Sequence, residues 1–366
     1  VSCDFFQLAT PGVRGLQAYE PGKPVSALER ELGLSNIIKL ASNENPLGPS
    51  PLALEAAAVA LADIHRYPDG NGFALKAALA QRHGVASAQI TLGNGSNDVL
   101  EFIVRAFAGP GHEVVFSEHA FAVYPLVTQA VGATGVAVPA CRYGHDLEAM
   151  AAAVTDRTRV LFVANPNNPT GTWCPQGALR SFIESLPRQV IVVVDEAYAE
   201  YVNEPQYPDC TDWVNDQDNL VVTRTFSKAF GLAGLRVGYM IAHPQITNLL
   251  NRVRQPFNVN SVALAAAEAA LKDVAHLQAS RDLNQAGLRY FETAFNELGL
   301  DYIPSVGNFI CVALPHPGRE IHAQLLRTGV IVRPVDGYGL PRHLRISVGL
   351  ESENQRCIQA LDGVLQ

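Results

Sequence analysis

The sequence predicts an α/β fold: a mostly parallel sheet covered by helices on both faces, followed by a smaller α+β unit. Three observations carry this. Between about residues 90 and 242, short β-branched runs alternate with helical patterns. Those runs are apolar throughout, not at every second position, which marks strands buried on both faces. Near residue 260 the pattern changes to long helical stretches with fewer strands between them, and 366 residues suffice for two domains.

The elements follow in order. Segment 1–49, with "PGKP" and "NENPLGPSP", is rich in proline and glycine and reads as an extended arm that contributes to the small domain. A first helix is expected after Pro51. "QITLG" is a strand leading into "NDVLEFIVRAFAG", where Leu100, Ile103, Val104 and Phe107 share one helical face. Next come "EVVFS", a helix through "YPLVTQAVGA", "GVAVP", and a helix over "DLEAMAAAV". "RVLFVAN", the helical "QGALRSFIESL", "VIVVVDEAY", "LVVTRTF" and "RVGYMIA" complete a large domain placed at 50–256. The small domain, 257–366, opens on "SVALAAAEAALKD" and runs through "LNQAGLRYFETAFNELG", "FICVAL", a helix, "GVIVRP" and "HLRISVG".

Composition excludes several classes of function. The net charge is −8 and no cluster of Lys and Arg stands out, which argues against a nucleic-acid partner. No apolar stretch reaches membrane-spanning length. The opening "VSCDFFQLAT" lacks the basic-then-apolar order of a secretory signal. Six cysteines without C-x-x-C spacing suggest reduced thiols in a cytoplasm, and ten histidines without H-E-x-x-H spacing give no reason to expect a metal.

In an open α/β sheet, ligands bind outside the carboxyl ends of the strands. Four such ends carry reactive groups here. Asn94-Gly95-Ser96-Asn97 follows "QITLG". It reads either as an ordinary turn, with Asp98 and Glu101 in a capping box, or as a cradle of backbone N–H groups suited to phosphate. "NPNNPTG" follows "RVLFVAN" and is either a loop or a rigid platform for an amide. Asp195 and Tyr198 follow a run of Ile and Val; a carboxylate there is costly unless paired. Ser227-Lys228 follows "LVVTRTF". Lys228 alone would pass for a surface lysine. Beside a carboxylate and a phosphate nest it becomes an amine equipped for pyridoxal phosphate chemistry, with Arg236 as a cationic neighbour that lowers its pKa.

These stretches, together with "AYEPGKP", "IKLASNENPLGPSP", "RYPDGNG", "TFSKAFGLAGLRVGY" and "GVIVRPVDGYGLPRHLRISVGL", resemble the class I/II, fold-type I pyridoxal-phosphate aminotransferases. Within them the likeness is to histidinol-phosphate aminotransferases. It runs from about residue 19 to 350. The resemblance implies pyridoxal 5'-phosphate as cofactor, with Lys228 as the lysine that carries it and shuttles a proton. It also implies Asp195 at the pyridine nitrogen, and Tyr198 and Asn168 at the ring's phenolic oxygen. Gly95, Ser96, Asn97, Thr225, Ser227 and Arg236 fall at the phosphate, and Phe121 against the ring. Tyr67 corresponds to a tyrosine that reaches the neighbouring subunit's cofactor, which implies a homodimer. Arg345 falls at the substrate's carboxylate, and Tyr19 and Asn43 sit in segments that close over the substrate. Arg333, twelve residues before Arg345 and after the apolar "GVIV", reads either as a surface ion pair or as a second guanidinium beside Arg345 around a phosphomonoester. Phe121 stands where relatives often have tyrosine, and Asn97 where an acidic residue is common.

The activity implied is a ping-pong transfer of the amino group of L-histidinol phosphate to 2-oxoglutarate, a step of histidine biosynthesis. Aromatic amino acids such as phenylalanine or tyrosine remain an alternative donor. A pyridoxal-phosphate decarboxylase and a cofactor-binding regulator without turnover are further alternatives.

Overall fold

The computed structural model describes residues 3–18 and 22–366. In chain order its strands are β1 (Ile38–Lys39), β2 (Ile90–Gly93), β3 (Glu113–Ser117), β4 (Thr134–Val138), β5 (Thr158–Ala164), β6 (Ile191–Asp195) and β7 (Leu220–Thr225). They continue with β8 (Gly238–Ala242), β9 (Tyr302–Ile303), β10 (Phe309–Ala313), β11 (Val330–Ile331), β12 (Arg333–Pro334) and β13 (His343–Ser347). The larger sheet has the order β2-β8-β7-β6-β5-β3-β4. Only β8 runs against its neighbours, so β2, reversed twice, again points the same way as β7. The carboxyl ends of β2, β5, β6 and β7 therefore share one edge.

Why the strands read as continuous apolar runs is now plain. Val192 and Val194 face one hydrophobic cluster, with Leu179 and Ile183 of the Gln176–Ser185 helix and Leu75 and Leu79 of the Phe73–His83 helix. Ile191 and Val193 face a second, with Val99, Leu100, Ile103 and Val104 of the Ser96–Phe107 helix. Each fully buried Val or Leu side chain contributes about 1.5–3 kcal/mol. Strands buried on both sides must be apolar at every position.

A second, antiparallel sheet has the order β12-β13-β10-β9 and its own core, including Ile310, Val312, Leu344 and Ile346. The arm joins it: β1 pairs in parallel with β11, and Ile38 and Leu40 enter that core. The Val274–Glu297 helix spans both units, with Leu277 in the larger core and Leu288, Phe291 and Phe295 in the smaller. The Ser261–Ala270 helix lies on the far side of the expected boundary at 256/257. Its Ala263, Ala266, Ala267 and Ala270 nevertheless pack into the larger core. Among the described residues no helix is long and apolar enough to cross a membrane.

Candidate active site

The shared strand edge opens into a cavity of about 260 Å³, which the arm and the smaller sheet close from the other side. Lys228 lies three residues beyond β7, in a turn fixed by the Gly231 N–H to its own carbonyl at 2.9 Å. Its Nζ donates to the Ser42 carbonyl at 3.0 Å and sits 5.8 Å from the centre of the Tyr198 ring. Burial, then the charge of Arg345, and to a lesser degree Arg236, pull its pKa down to about 7, with Glu44 acting in the other direction. The sequence pointed to Arg236 as the cationic neighbour; the larger effect comes from Arg345, a buried guanidinium on β13.

This shift has a measurable consequence for the cofactor-free protein. The unfolded amine, with a pKa near 10.5, still binds a proton at pH values where the folded one, near 7, has released it. Stability rises with pH wherever the unfolded state binds more protons, so the Lys228 contribution grows from about pH 7 towards pH 10. Thermal melts at pH 7 and pH 9 should show this rise, and Lys228→Met should flatten it. An equal slope in the variant would refute the shift.

Asp195 ends β6 with its side chain on the cavity side, 5% exposed. Tyr124 Oη donates to its Oδ2 at 2.8 Å and Thr223 Oγ1 to its Oδ1 at 2.9 Å. Burial raises its pKa, while these hydroxyls, the Ala197 N–H and the charge of Lys228 hold it down. Its hydrogen-bond partners among the described residues are all neutral. A carboxylate so placed is complementary to a cationic N–H in the cavity.

Tyr198 Oη accepts from Asn43 Nδ2 at 2.9 Å, and Asn43 Oδ1 accepts from Ser347 Oγ at 2.9 Å. Burial pushes the Tyr198 phenol up to about 12. Arg345 Nη1 donates to Asn168 Oδ1 and Nη2 to the Ala41 carbonyl, both at 2.6 Å, whereas its buried Nε has no hydrogen-bond partner among the described residues. Phe121 lines the cavity and meets Tyr124 edge-on at 5.9 Å between ring centres.

Ser96, Asn97, Thr225, Ser227 and Arg236 line another part of the cavity, a corner where Arg236 meets Ser227. No side chain caps the Ser96–Phe107 helix, so the N–H groups of its first turn face outward. The capping-box reading fails. Asp98 accepts from the Asn94 N–H at 2.8 Å and from Asn258 Nδ2 at 2.9 Å, and Glu101 pairs with Arg105. Arg236 Nη1 donates to Ser227 Oγ at 3.3 Å and the Ala233 carbonyl at 3.1 Å. Close approach dictates the glycines. A Cβ on Gly95, whose φ is +83°, would lie 2.3 Å from Arg236 Nη2, and one on Gly238 would lie 2.4 Å from Ser96 N. The corner can bind an anion through backbone dipoles, hydroxyls and a guanidinium together.

The cavity thus gathers Asn43, Ser96, Asn97, Phe121, Asn168, Asp195, Tyr198, Thr225, Ser227, Lys228, Arg236, Arg333 and Arg345 from the expected set. Gly95 sits directly behind Ser96 and Arg236. Tyr67 is not among the lining residues; it is 83% exposed and stacked on Phe257 at 4.8 Å. Tyr19 lies outside the described residues. Sequence reasoning missed Tyr124, Thr223, Ser42 and Tyr338. A buried tyrosine needs a partner for its hydroxyl, and Thr223 alternates with Thr225 on the cavity side of β7, but neither signal names Asp195 as the acceptor.

Known proteins are similar to this chain over nearly its whole length. The family model for aminotransferase class I and II matches residues 35–361. Histidinol-phosphate aminotransferase 1 of Nitrosococcus oceani is 58% identical over 362 residues, covering 99% of this chain and 98% of that protein. Histidinol-phosphate aminotransferase 2 of Pseudomonas fluorescens is 59% identical over 367 residues, covering 100% and 99%. The crystal structure of histidinol-phosphate aminotransferase from Sinorhizobium meliloti, in complex with pyridoxal-5'-phosphate, superposes with a TM-score of 0.89 at 31% identity, covering 98% of this chain and 97% of that one. Aspartate aminotransferase from Thermus thermophilus, at 22% identity and a TM-score of 0.84, shares the fold. The chain belongs to the class I and II aminotransferase family, alongside the relatives named histidinol-phosphate aminotransferase.

Proposed function

We propose that this chain is a pyridoxal-phosphate-dependent aminotransferase that moves the amino group of L-histidinol phosphate to 2-oxoglutarate, in histidine biosynthesis. One observation carries the choice of donor. Arg333 on β12 and Arg345 on β13 are register partners, so two guanidinium groups stand opposite each other and line the same cavity as Lys228. A phosphomonoester has oxygens enough to accept hydrogen bonds from both guanidinium groups, where a carboxylate fills one fork. The names of the close relatives point the same way.

The residues present fit the cofactor. Asp195 offers a buried carboxylate with neutral partners only, the corner at Ser96, Ser227 and Arg236 suits a phosphate, and Lys228 has a pKa of about 7. When bound, pyridoxal phosphate supplies an electron sink for charge developing at the substrate's Cα and a carrier for the amino group. The chain supplies the rest. Lys228 Nζ, unprotonated in a large fraction near neutrality, takes the Cα proton and later returns it. Asp195 would pair with the cofactor's ring nitrogen, Asn168 and Tyr198 would hydrogen-bond its phenolic oxygen, and Ser96, Asn97, Thr225, Ser227 and Arg236 would hold its phosphate. Asn43 positions Tyr198, and the arm that carries it excludes water from the cavity. Arg345 and Arg333 fix the donor, then the 2-oxo acid that replaces it. One site accepts both because guanidinium groups bind carboxylate and phosphate alike.

The working unit we propose is a cytoplasmic homodimer, with Tyr67 reaching the partner's site. Leu52, Leu54, Val59, Leu61, Ile64, Tyr67, Phe73 and Phe257 are all exposed large apolar side chains, and such a surface suits a second copy. Six free cysteines fit a reducing compartment.

The deciding experiment compares kcat/KM for histidinol phosphate and phenylalanine. The phosphorylated donor should be preferred about 10- to 100-fold, because a phosphate's three oxygens and larger charge engage both guanidinium groups, whereas a carboxylate occupies the Arg345 fork alone. Arg333→Gln should lower kcat/KM for histidinol phosphate about 10- to 100-fold and change the phenylalanine value little. A higher kcat/KM for phenylalanine would overturn the donor and leave the transfer reaction standing.

A further inference from the structure

Behind the cavity, on the reverse side of the same strand ends, lies a buried ionic cluster that the chemistry above does not use. Arg224 of β7 donates from Nε and Nη2 to Glu196 Oε2 at 2.9 and 2.6 Å. Its Nη2 also reaches Asp209 Oδ1 at 2.7 Å, and its Nη1 lies 3.8 Å from Glu200 Oε1. Glu196 is 0%, Glu200 4% and Arg224 6% exposed, whereas the Asp209 side chain reaches the surface. The Cys210 N–H donates to Glu196 Oε1 at 2.9 Å. Thr211 Oγ1 donates to Asp209 Oδ1 at 2.6 Å and lies 3.3 Å from His83 Nδ1, and His83 Nε2 lies 2.9 Å from Tyr239 Oη. The network ties β6, β7, β8 and the Phe73–His83 helix together.

Its place in the sheet gives it meaning. Asp195 and Thr223 are register partners across β6 and β7, and the Glu196 N–H continues the pairing to the Thr223 carbonyl at 2.9 Å. Successive side chains point to opposite faces. On the cavity face Thr223 therefore holds Asp195, and one residue on, at the back, Arg224 holds Glu196. Lys228 is four residues beyond this clamp. A buried ion pair is a poor way to add stability, since apolar residues of like volume do as well or better. What a forked guanidinium adds is fixed geometry. The strand ends that carry the carboxylate and the amine are the ones it fixes.

We propose that Arg224, clasped by Glu196 and Asp209, is a positioning residue for the transfer reaction, holding the ends of β6 and β7 so that Asp195 and Lys228 keep their mutual placement. The inference rests on the roles given to Lys228 and Asp195 above. Placement errors of about 1 Å cost about a hundredfold in rate, so a clasp remote from the substrate can govern kcat without touching KM.

The test uses the cofactor-loaded protein and three variants: Glu196→Gln, Arg224→Lys, and the double variant Glu196→Gln with Arg224→Met, which leaves no lone buried charge at those two positions. The double variant should melt cooperatively and, after borohydride treatment, still be labelled at Lys228. Its kcat should fall about 10- to 100-fold, with KM for the donor within about twofold. The pH midpoint of the bound cofactor's absorbance change should move by about half a pH unit or more. Arg224→Lys, which keeps the charge without the fork, should fall between wild type and the double variant. Should the double variant not fold, Glu196→Gln decides, with a smaller displacement of the same midpoint expected. A folded variant with wild-type kcat and midpoint would make the cluster purely structural and overturn the proposal. Absence of label at Lys228 in the wild-type protein would instead remove the reading beneath it.

Discussion

Lys228→Ala is expected to bind the cofactor without turning it over, with kcat lower by about ten-thousandfold. Among the described residues lining the cavity, Lys228 is the one amine, and no imidazole stands beside it to take over the proton. The loss should be chemical rather than structural. Among the described residues the side chain makes a single hydrogen bond, to the Ser42 carbonyl, and its burial with Arg345 and Arg236 nearby already works against its own charge. The cofactor-free variant should therefore melt no lower than wild type near pH 7. The anion corner is untouched, so the cofactor should still bind, held non-covalently. Borohydride treatment followed by peptide mapping should label position 228 in wild type and nothing in the variant. A label on another lysine, or residual turnover within tenfold of wild type, would remove Lys228 from its role.

Much of this site was legible because strand ends in an open sheet point to one edge. Once the apolar runs are assigned as strands, Ser96, Asn97, Asn168, Asp195 and Lys228 must share that edge, and they line one cavity. What the sequence could not give is lateral placement. A spacing of twelve residues does not reveal that Arg333 and Arg345 face each other, because the register of β12 on β13 is set by the chain between them. Nor could helical periodicity reveal that Tyr124 turns its hydroxyl onto Asp195, since an aromatic on the buried face of a helix satisfies the same pattern without a partner. The alanine run at 261–270 shows the same limit. Its pattern marks a helix with a close-packing face, and only the structure shows that the face meets the larger core. Asp98 resembled a cap by position, yet its carboxylate serves Asn94 and Asn258. Local motifs name candidates; long-range packing chooses their partners.

Asp195→Asn isolates the charge from the shape. The amide keeps one acceptor for the Tyr124 or Thr223 hydroxyl, and the other hydroxyl can turn to accept from the new NH2 group, so the fold should hold. The negative charge facing the cavity is what disappears, and preorganised charge of this kind is worth about 10²- to 10³-fold in kcat. The cofactor-free and loaded proteins should respond oppositely. In the cofactor-free protein the pKa of Asp195 is raised above its unfolded value near 3.8, mainly by burial. The folded state then binds a proton that the unfolded state has released, so stability falls as pH rises through that window. The amide escapes this loss, and cofactor-free Asp195→Asn should melt at or above wild type at pH 7. Adding pyridoxal phosphate should reverse the order, because only the wild-type carboxylate gains a cationic partner on the ring nitrogen. Tyr124→Phe, which removes one donor and leaves the charge, should cost less than about tenfold in kcat. Melts with and without cofactor, read beside steady-state rates, check all three. A loaded Asp195→Asn protein with kcat within tenfold of wild type would show that the buried carboxylate does not serve the chemistry.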